Sequence, residues 1–393
     1  MTTDNDLEVL ERLRDTPRLF EMLRETNESG LALQKQLRAQ FPDEIVRAAL
    51  TLRELRGLAG DKFSRADRMW FDRVGFEQST PETVAHHKAQ RFTGLVWDYC
   101  CGIGSDAIAL AGQGDVVSVD LNPAACLRTR WNAEAYDVAD RVRVVCADVE
   151  SLADRSGLVH IDPDRRAASH RRTLRIEDYR PGLPFLYRLM DEFDGGAIKL
   201  GPASNFPGKF ADAEVELVSL NGECKEATVW FGRLAGDISH RATVLPTGET
   251  LAGNPLDSYA PVEPLSKFLY DPDPAVVRAG LIDLLAEQRG FFRLDNGEEY
   301  LTSNDLIETP FARAFEVLAE LPNNDRTIRR WFREADIGQV EIKCRHVPID
   351  VEAIRRKLPL TGSQAAVLIY AKIGGKTRAV TCRRVPCSHA AGG

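Results

Sequence analysis

The sequence predicts an α/β protein: a Rossmann-like, doubly wound sheet of seven strands, with a helical N-terminal domain before it and an α+β domain after it. Three observations carry this. Short apolar runs alternate with helical patterns from about residue 94 to 235. Polar residues close one run after another, at the strand ends where an open α/β sheet binds ligands. The stretch Val96-Trp97-Asp98-Tyr99-Cys100-Cys101-Gly102-Ile103-Gly104-Ser105-Asp106-Ala107 passes from a strand through a glycine turn into a helix. Gly102 and Gly104 let the chain bend tightly and let a ligand lie against it with no Cβ between. The free N–H groups of the helix start then face that ligand. The expected domains are 1–90, 91–238 and 239–393.

The elements follow in order. Leu7, Leu10 and Leu13, then Leu19 and Leu23, Leu33 and Leu37, and Ile45, Val46, Ala49, Leu52 and Leu55 recur at helical spacing. Pro17 and Pro42 suit helix starts, where a missing N–H costs nothing. Thr80 is a good N-cap and Pro81 a good first residue for a helix through Ala89. On spacing alone, residues 66–78 read as a lead-in to the first strand rather than a lid. Strands are expected at 95–97, 116–119, 142–146, 158–161 and 196–200, and 215–220 with 227–231 close the sheet as a hairpin-like pair. Pro246, Gly248, Gly253, Pro255, Pro261 and Pro264 read as a linker. Helices are then expected at 274–286, 311–321 and 327–334, and strands at 339–343, 366–370 and 377–381.

Composition excludes several classes. A chain of 393 residues can bury a sizeable core. No run of about 18 apolar residues is present, so no membrane span is expected. The polar, acidic start gives no secretory signal, and a cytoplasmic location is expected. Eight cysteines include no C-x-x-C, so no metal site is expected, and Cys382, Cys387 and His389 read as part of a frayed tail. The net charge of −8 means that any nucleic-acid partner meets a local basic patch, not the whole surface. Arg165, Arg166, His170, Arg171, Arg172, Arg175 and Arg180 form one such run, either a solvated face or a grip on phosphates. Arg326, Arg329, Arg330 and Arg333, around Trp331-Phe332, read as a helix with an apolar face.

Two cofactors suit the glycine turn. Gly102-x-Gly104-x-x-Ala107 with Asp120 after the second strand fits the loose dinucleotide pattern. Asp98 is placed to receive a cation, Asp148 to accept from an adenine amino group, and Asp162-Pro163 to lie beside a reacting group. An acidic rim disfavours a pyrophosphate and suits a cationic ligand with an adenine and ribose hydroxyls.

Residues 94–166 resemble the class I S-adenosylmethionine-dependent methyltransferases. Asp98-Tyr-Cys-Cys-Gly102-Ile-Gly104 resembles their first motif, Val119-Asp120-Leu121-Asn122-Pro123 their second and Ala147-Asp148-Val149 their third. Asp162-Pro163-Asp164-Arg165 stands at their fourth. Ser79-Thr80-Pro81-Glu82-x-x-Ala85 is similar to the trimethylguanosine synthase branch, which methylates an RNA cap guanine. Lys199-Leu200-Gly201-Pro202 and Asn221-Gly222-Glu223-Cys224-Lys225-Glu226 resemble bacterial methyltransferases with a C-terminal THUMP-like domain. The resemblance implies S-adenosyl-L-methionine held by Asp98, Cys100, Gly102, Gly104, Asp106, Asp120, Leu121, Asn122, Asp148 and Val149. It implies an RNA acceptor met by Thr80, Arg165, Arg166 and Lys199, with Asp162 and Pro163 at the reacting atoms. The usual Pro-Pro-aromatic of amino-methyltransferases is here Pro163-Asp164-Arg165-Arg166, without a ring, and Tyr179, Trp70 or Phe71 are the candidates to supply one.

Asp162 either orients or deprotonates an acceptor N–H, or caps the following loop. Lys199 either faces an anionic substrate or pairs with a carboxylate. The expected function is RNA methylation. The alternatives are a donor-binding RNA or protein interaction module without turnover, and a nicotinamide-dependent oxidoreductase.

Overall fold

Among the described residues, the helices ahead of the first strand are α1 (Asp4–Arg14), α2 (Pro17–Glu25), α3 (Leu31–Arg38), α4 (Asp43–Leu58), α5 (Arg73–Gln78) and α6 (Glu82–Ala89), the first four built on leucines at helical spacing. The computed structural model describes residues 4–25, 30–152, 156–165 and 174–386. Leu13, Leu19, Leu37, Val46 and Leu52 form one core with Met69 and Phe71, and that core includes Ile103 of the glycine turn and Ile108 of the helix after it. Burying each such side chain is worth about 1.5–3 kcal/mol. The helical layer is therefore fastened directly onto the turn.

The chain folds as two compact units, Met1–Ala213 with Ala227–Gly236, and Glu214–Glu226 with Asp237–Gly393. In the first, the strands are β1 (Val96–Tyr99), β2 (Val116–Asp120), β3 (Val142–Cys146), β4 (Leu158–Ile161) and β5 (Gly195–Leu200). Of the next two, β6 (Glu214–Leu220) lies in the second unit and β7 (Glu223–Gly232) returns to the first. Within the first unit the strand order is β3-β2-β1-β4-β5-β7. The first five strands are parallel, and β7 runs antiparallel to β5, a Rossmann-like arrangement. The helices α7 (Ser105–Ala111), α8 (Pro123–Ala135) and α9 (Leu183–Glu192) accompany them. The register sets Tyr99 level with Val119 and Ile161, so the segments after β1, β2 and β4 emerge side by side.

In the second unit, β6 pairs in parallel with β8 (His240–Leu245), which pairs antiparallel with β9 (Glu249–Gly253). The expected linker is therefore in part a hairpin, with Pro246 and Gly248 making its turn (Gly248 φ +75°). Further on come β10 (Phe268–Pro272), α10 (Pro274–Arg278), α11 (Ile282–Arg289), β11 (Phe292–Arg293), β12 (Leu301–Ser303), β13 (Ala312–Pro322), α12 (Asp325–Glu334), β14 (Ile337–Cys344), α13 (Val351–Lys357), β15 (Gln364–Ile373) and β16 (Lys376–Arg384). Their strands form a sheet of order β11-β12-β10-β13-β16-β15-β14. Residues 311–321 correct an expectation. Their alanines, glutamates and leucines favour a helix, yet β13 is held between β10 and β16 by two antiparallel ladders. Pairing on both edges overrides intrinsic preference. Among the described residues, no helix is long and apolar enough to cross a membrane.

Candidate functional site

A cavity of about 750 Å³ opens at the carboxyl ends of β1, β2 and β4, with Cys100, Gly102, Asp120, Asp162 and Pro163 in its wall. The glycine turn owes its shape to three left-handed residues: Cys100 (φ +58°), Gly102 (φ +57°) and Gly104 (φ +84°). A Cβ on Gly104 would stand 2.9 Å from the Thr129 methyl group. The turn is pinned from outside. Thr129 Oγ1 donates to the Gly102 carbonyl (3.0 Å), and Asn132 Nδ2 donates to the Ile103 carbonyl (2.8 Å).

Asp120 lies across this turn. Its Oδ2 accepts from the Gly102 N–H (2.9 Å) and its Oδ1 from the Asn122 N–H (2.8 Å). Burial raises its carboxyl above the ordinary range, against the pull of those two bonds. Asn122 caps α8 through the Ala124 N–H (3.0 Å). Each Asp120 oxygen carries one backbone bond and has capacity for one more partner. That is the equipment for a pair of vicinal hydroxyls.

Asp98 is engaged differently from the sequence expectation. It is 1% exposed, and its Oδ1 lies 2.7 Å from His160 Nδ1, with Ser118 Oγ at 3.5 Å from Oδ2. Burial raises its carboxyl, and the His160 bond opposes this. The β1–β4 register sets Asp98 opposite His160.

A charge network lies behind the turn. Lys88 Nζ is 3.0 Å from Asp106 Oδ1, and Thr80 Oγ1 donates to Asp106 Oδ2 (2.7 Å). Burial alone would raise the Asp106 carboxyl, but Lys88, His160 and Lys199 outweigh it and hold the group well below the usual range. Lys199, on β5, lies 2.6 Å from Asp162 Oδ2 and 4.0 Å from Asp106 Oδ2. A carboxylate partner is thus in place for Lys199. Its ammonium also donates to the Gln78 carbonyl (3.4 Å), while Gln78 Nε2 donates to Asp164 Oδ1 (3.3 Å).

The cavity thus gathers Asp98, Cys100, Gly102, Asp106, Asp120, Asn122, Asp162, Pro163 and Arg165 from the expected set. Gly104, Lys199 and Thr80 stand outside its lining, and Thr80 is 1% exposed with its hydroxyl turned to Asp106. The helix after it begins at Glu82, with Pro81 at the cap, one residue later than expected. Leu121, Asp148 and Val149 also stand outside the lining. Leu121 is 71% exposed, and Asp148 Oδ1 caps a short 3₁₀ turn through the Glu150 N–H (2.9 Å). Arg166, His170, Arg171 and Arg172 lie outside the described residues. Of the candidate rings, Tyr179 is fully buried and bonded to Ser204, whereas Trp70 and Phe71 line the cavity.

Sequence spacing missed the wall built by residues 70–79. Asn132 clamps it, accepting from the Trp70 N–H (2.7 Å) and donating to the Trp70 carbonyl (3.1 Å). Asp72 caps α5 at the Gly75 N–H (2.7 Å) and pairs with Arg128 (2.9 Å). The same Asn132 therefore holds both the glycine turn and the wall. The available signal was a polar Asn at a position that the helix must bury. His160 was also missed, since a lone histidine in a strand carries no motif. Among the described residues no group of three or more metal-ligating side chains occurs.

Comparison with known proteins follows this geometry. A family described as RNA cap guanine-N2 methyltransferase matches residues 93–173, and one described as THUMP domain-like matches residues 312–384. A Mycobacterium tuberculosis protein described as an uncharacterized S-adenosylmethionine-dependent methyltransferase is 34% identical over 352 residues, covering 86% of this chain and 96% of that one. A Parasynechococcus marenigrum protein described as an uncharacterized RNA methyltransferase is 36% identical over 104 residues, 23% of this chain and 22% of that one. A Porphyromonas gingivalis crystal structure described as a candidate methyltransferase superposes with a TM-score of 0.76 at 19% identity, covering 98% of this chain and 100% of that chain.

Proposed function

The chain belongs to the S-adenosylmethionine-dependent methyltransferase family, and we propose that the acceptor of its methyl group is an RNA nucleotide. The observation that carries the acceptor reading is the likeness of residues 93–173 to the RNA cap guanine-N2 methyltransferases. The THUMP domain-like match at 312–384 and the 104-residue likeness to an RNA methyltransferase support it.

The residues present fit S-adenosyl-L-methionine. The Gly102 side of the turn has open space, with nothing within 4 Å of where a Cβ would be. Asp120 has a free lone pair on each oxygen for ribose hydroxyls, and Asn122 and Cys100 flank it. When bound there, the donor supplies an electrophilic methyl group on a sulfonium. Asp106 and Lys88 hold the start of α7 in place behind the turn. The 70–79 wall covers the cavity and limits water, and Arg165 lies at the same cavity. In this reading Asp98 supports the floor through His160. Thr80 and Lys199 act through Asp106 and Asp162, and Gly104 acts through the turn. Leu121, Asp148 and Val149 form the rim.

Asp162 is the group placed at the reacting atoms. Lys199 occupies its Oδ2, which leaves Oδ1 to accept an N–H from the acceptor and turn its lone pair towards the methyl carbon. Such alignment supplies most of the rate when the acceptor is a good nucleophile. As the C–N bond forms, the donor's sulfur–methyl bond would break to leave a neutral thioether, and Asp162 Oδ1 would take the proton that the acceptor nitrogen loses. The functional division is a helical cover at 1–90, a donor-binding part at 91–238 and a THUMP-like part at 239–393, in a cytoplasmic protein needing no metal.

The test uses the full chain, tritiated donor, and RNA from cells lacking the protein. Nucleoside mass spectrometry then reads the product. A methylated nucleoside in the RNA is expected. Label in a protein or metabolite fraction and none in RNA would refute the acceptor. Tight donor binding with no transfer to any fraction would favour a binding module.

A further inference from the structure

Four arginines on α12 stand without an acidic partner among the described residues, in a chain whose acids outnumber its bases by 59 to 51. The helix is two-faced, as its spacing predicts. Ile328 and Phe332 are 2% and 0% exposed and sit in the core. Arg326, Arg329, Arg330 and Arg333 are exposed on the other side. These positions follow i, i+3, i+4, i+7, which makes a single stripe along the helix.

Some exposed arginines elsewhere pair with acids, Arg12 with Glu44 at 2.6 Å and Arg47 with Asp43 at 3.1 Å, and others such as Arg53 and Arg130 stand singly among the described residues; what sets α12 apart is four of them along one helix face. Most acids near α12 are engaged elsewhere, and Glu334, at the end of the helix itself, lies more than 4.0 Å from all four arginines. Asp325 pairs with Lys357 (2.8 Å), Glu320 with Arg378, and Asp336 accepts from the Ser363 hydroxyl (2.7 Å). None of the four arginines has an acid within 4.0 Å among the described residues. Neighbouring like charges along one face repel, so stability does not account for the stripe.

We propose that this stripe is a docking face for the phosphate backbone of RNA, a reading that rests on the RNA acceptor proposed above. The ligand chemistry follows from the donors. A guanidinium presents a rigid fork that matches two phosphate oxygens, and all four positions carry it rather than lysine. From Arg326 to Arg333 the helix advances about 10 Å. A duplex displays about six phosphate charges over that length. A membrane surface is the poorer fit, because the apolar residues of α12 point inward and none accompanies the arginines to enter lipid.

The test is fluorescence anisotropy of a labelled mixed-sequence RNA stem-loop against the full-length protein, over a series of salt concentrations. The variant is Arg326→Gln/Arg329→Gln/Arg330→Gln/Arg333→Gln, which keeps good helix formers. With four guanidinium–phosphate pairs removed, the slope of log affinity against log salt should become shallower by about 3, and affinity near 0.1 M salt should fall roughly 10²–10³-fold. Donor titration by calorimetry should be unchanged, and an unchanged urea-unfolding profile shows that the unit carrying α12 is folded. Equal slope and affinity in wild type and variant would overturn the docking face and leave the RNA acceptor intact. Absence of RNA binding by the wild-type protein would overturn the RNA reading and the docking face together. Binding of polyglutamate as tight as RNA, lost in the same variant, would assign the stripe to an acidic protein and overturn the proposal.

Discussion

Replacing Lys199 by methionine separates a residue that orients Asp162 from one that meets substrate by itself. The Lys199 side chain is 7% exposed and that of Asp162 27%. Removing one member of a fully buried pair costs about 3–5 kcal/mol, while an exposed pair is worth about 0–1 kcal/mol. Asp162 faces the cavity and can hydrate, and Asp106 keeps Lys88, so the stability cost of Lys199→Met is about 2 kcal/mol. The effect on turnover is larger in kind, because Asp162 is then free to rotate and a 1 Å misplacement costs about 10²-fold in rate. The assay is initial-rate methyl transfer from tritiated donor to the RNA pool, for Lys199→Met, Asp162→Asn and the double variant. Each single variant should lose about 10²-fold while donor affinity holds within about threefold. The double variant should be no slower than Asp162→Asn, which corresponds to a coupling of about 2–3 kcal/mol. Lys199→Arg should recover part of the rate. Additive losses in the double variant would show that Lys199 acts independently of Asp162 and would refute the reasoning.

Two further outcomes test the donor side. Asp120→Asn sets an amide N–H against the Gly102 or Asn122 N–H and removes the charge. Donor affinity by calorimetry should fall by about 1.5–3 kcal/mol, and an unchanged affinity would mean that the hydroxyls bind elsewhere. Asp106→Asn leaves Lys88 buried without its anion and should cost about 3–5 kcal/mol at neutral pH in urea unfolding. Because the folded Asp106 carboxyl is held low, its contribution is complete above the unfolded value of about 3.9 and is lost as pH falls towards the folded value. The gap between wild type and variant should therefore narrow by about 1.4 kcal/mol per pH unit below about pH 3.9, and a gap independent of pH would count against the pairing.

What could be read from the sequence was what local chemistry dictates. The glycine turn between the first strand and its helix, and Asp120 at the end of the second strand, lie within a few residues of the elements they serve, as the spacing indicated. The partners of Asp98, Lys199 and Thr80 did not follow from spacing, since each is supplied by another element. His160 is 62 residues from Asp98, Asp162 is 37 from Lys199, and Asp106 is 26 from Thr80. Residues 311–321 show the opposite limit, where a helix-favouring composition yields to two strand neighbours. The α12 stripe was visible as a pattern, but only the structure shows that none of its arginines has an acid within 4.0 Å among the described residues.

This partnering changes why the cavity suits a cationic donor rather than a pyrophosphate. The sequence argument counted acids at strand ends. In the structure two of those acids face basic side chains, Asp98 with His160 and Asp162 with Lys199, and Asp106 of α7 faces Lys88. The fields of the two lysine-paired acids, Asp106 and Asp162, largely cancel a few ångströms away. Asp120 differs, for its carboxylate bonds to the backbone N–H groups of Gly102 and Asn122, which satisfy it without neutralising its charge. On the proposed donor site, the charge that no neighbouring lysine offsets therefore lies with Asp120, at the end assigned to the ribose. The paired acids have a different use. They fix the glycine turn and Asp162 without adding net attraction for the donor's positive charge, so its ground state is not held more tightly than alignment for transfer requires.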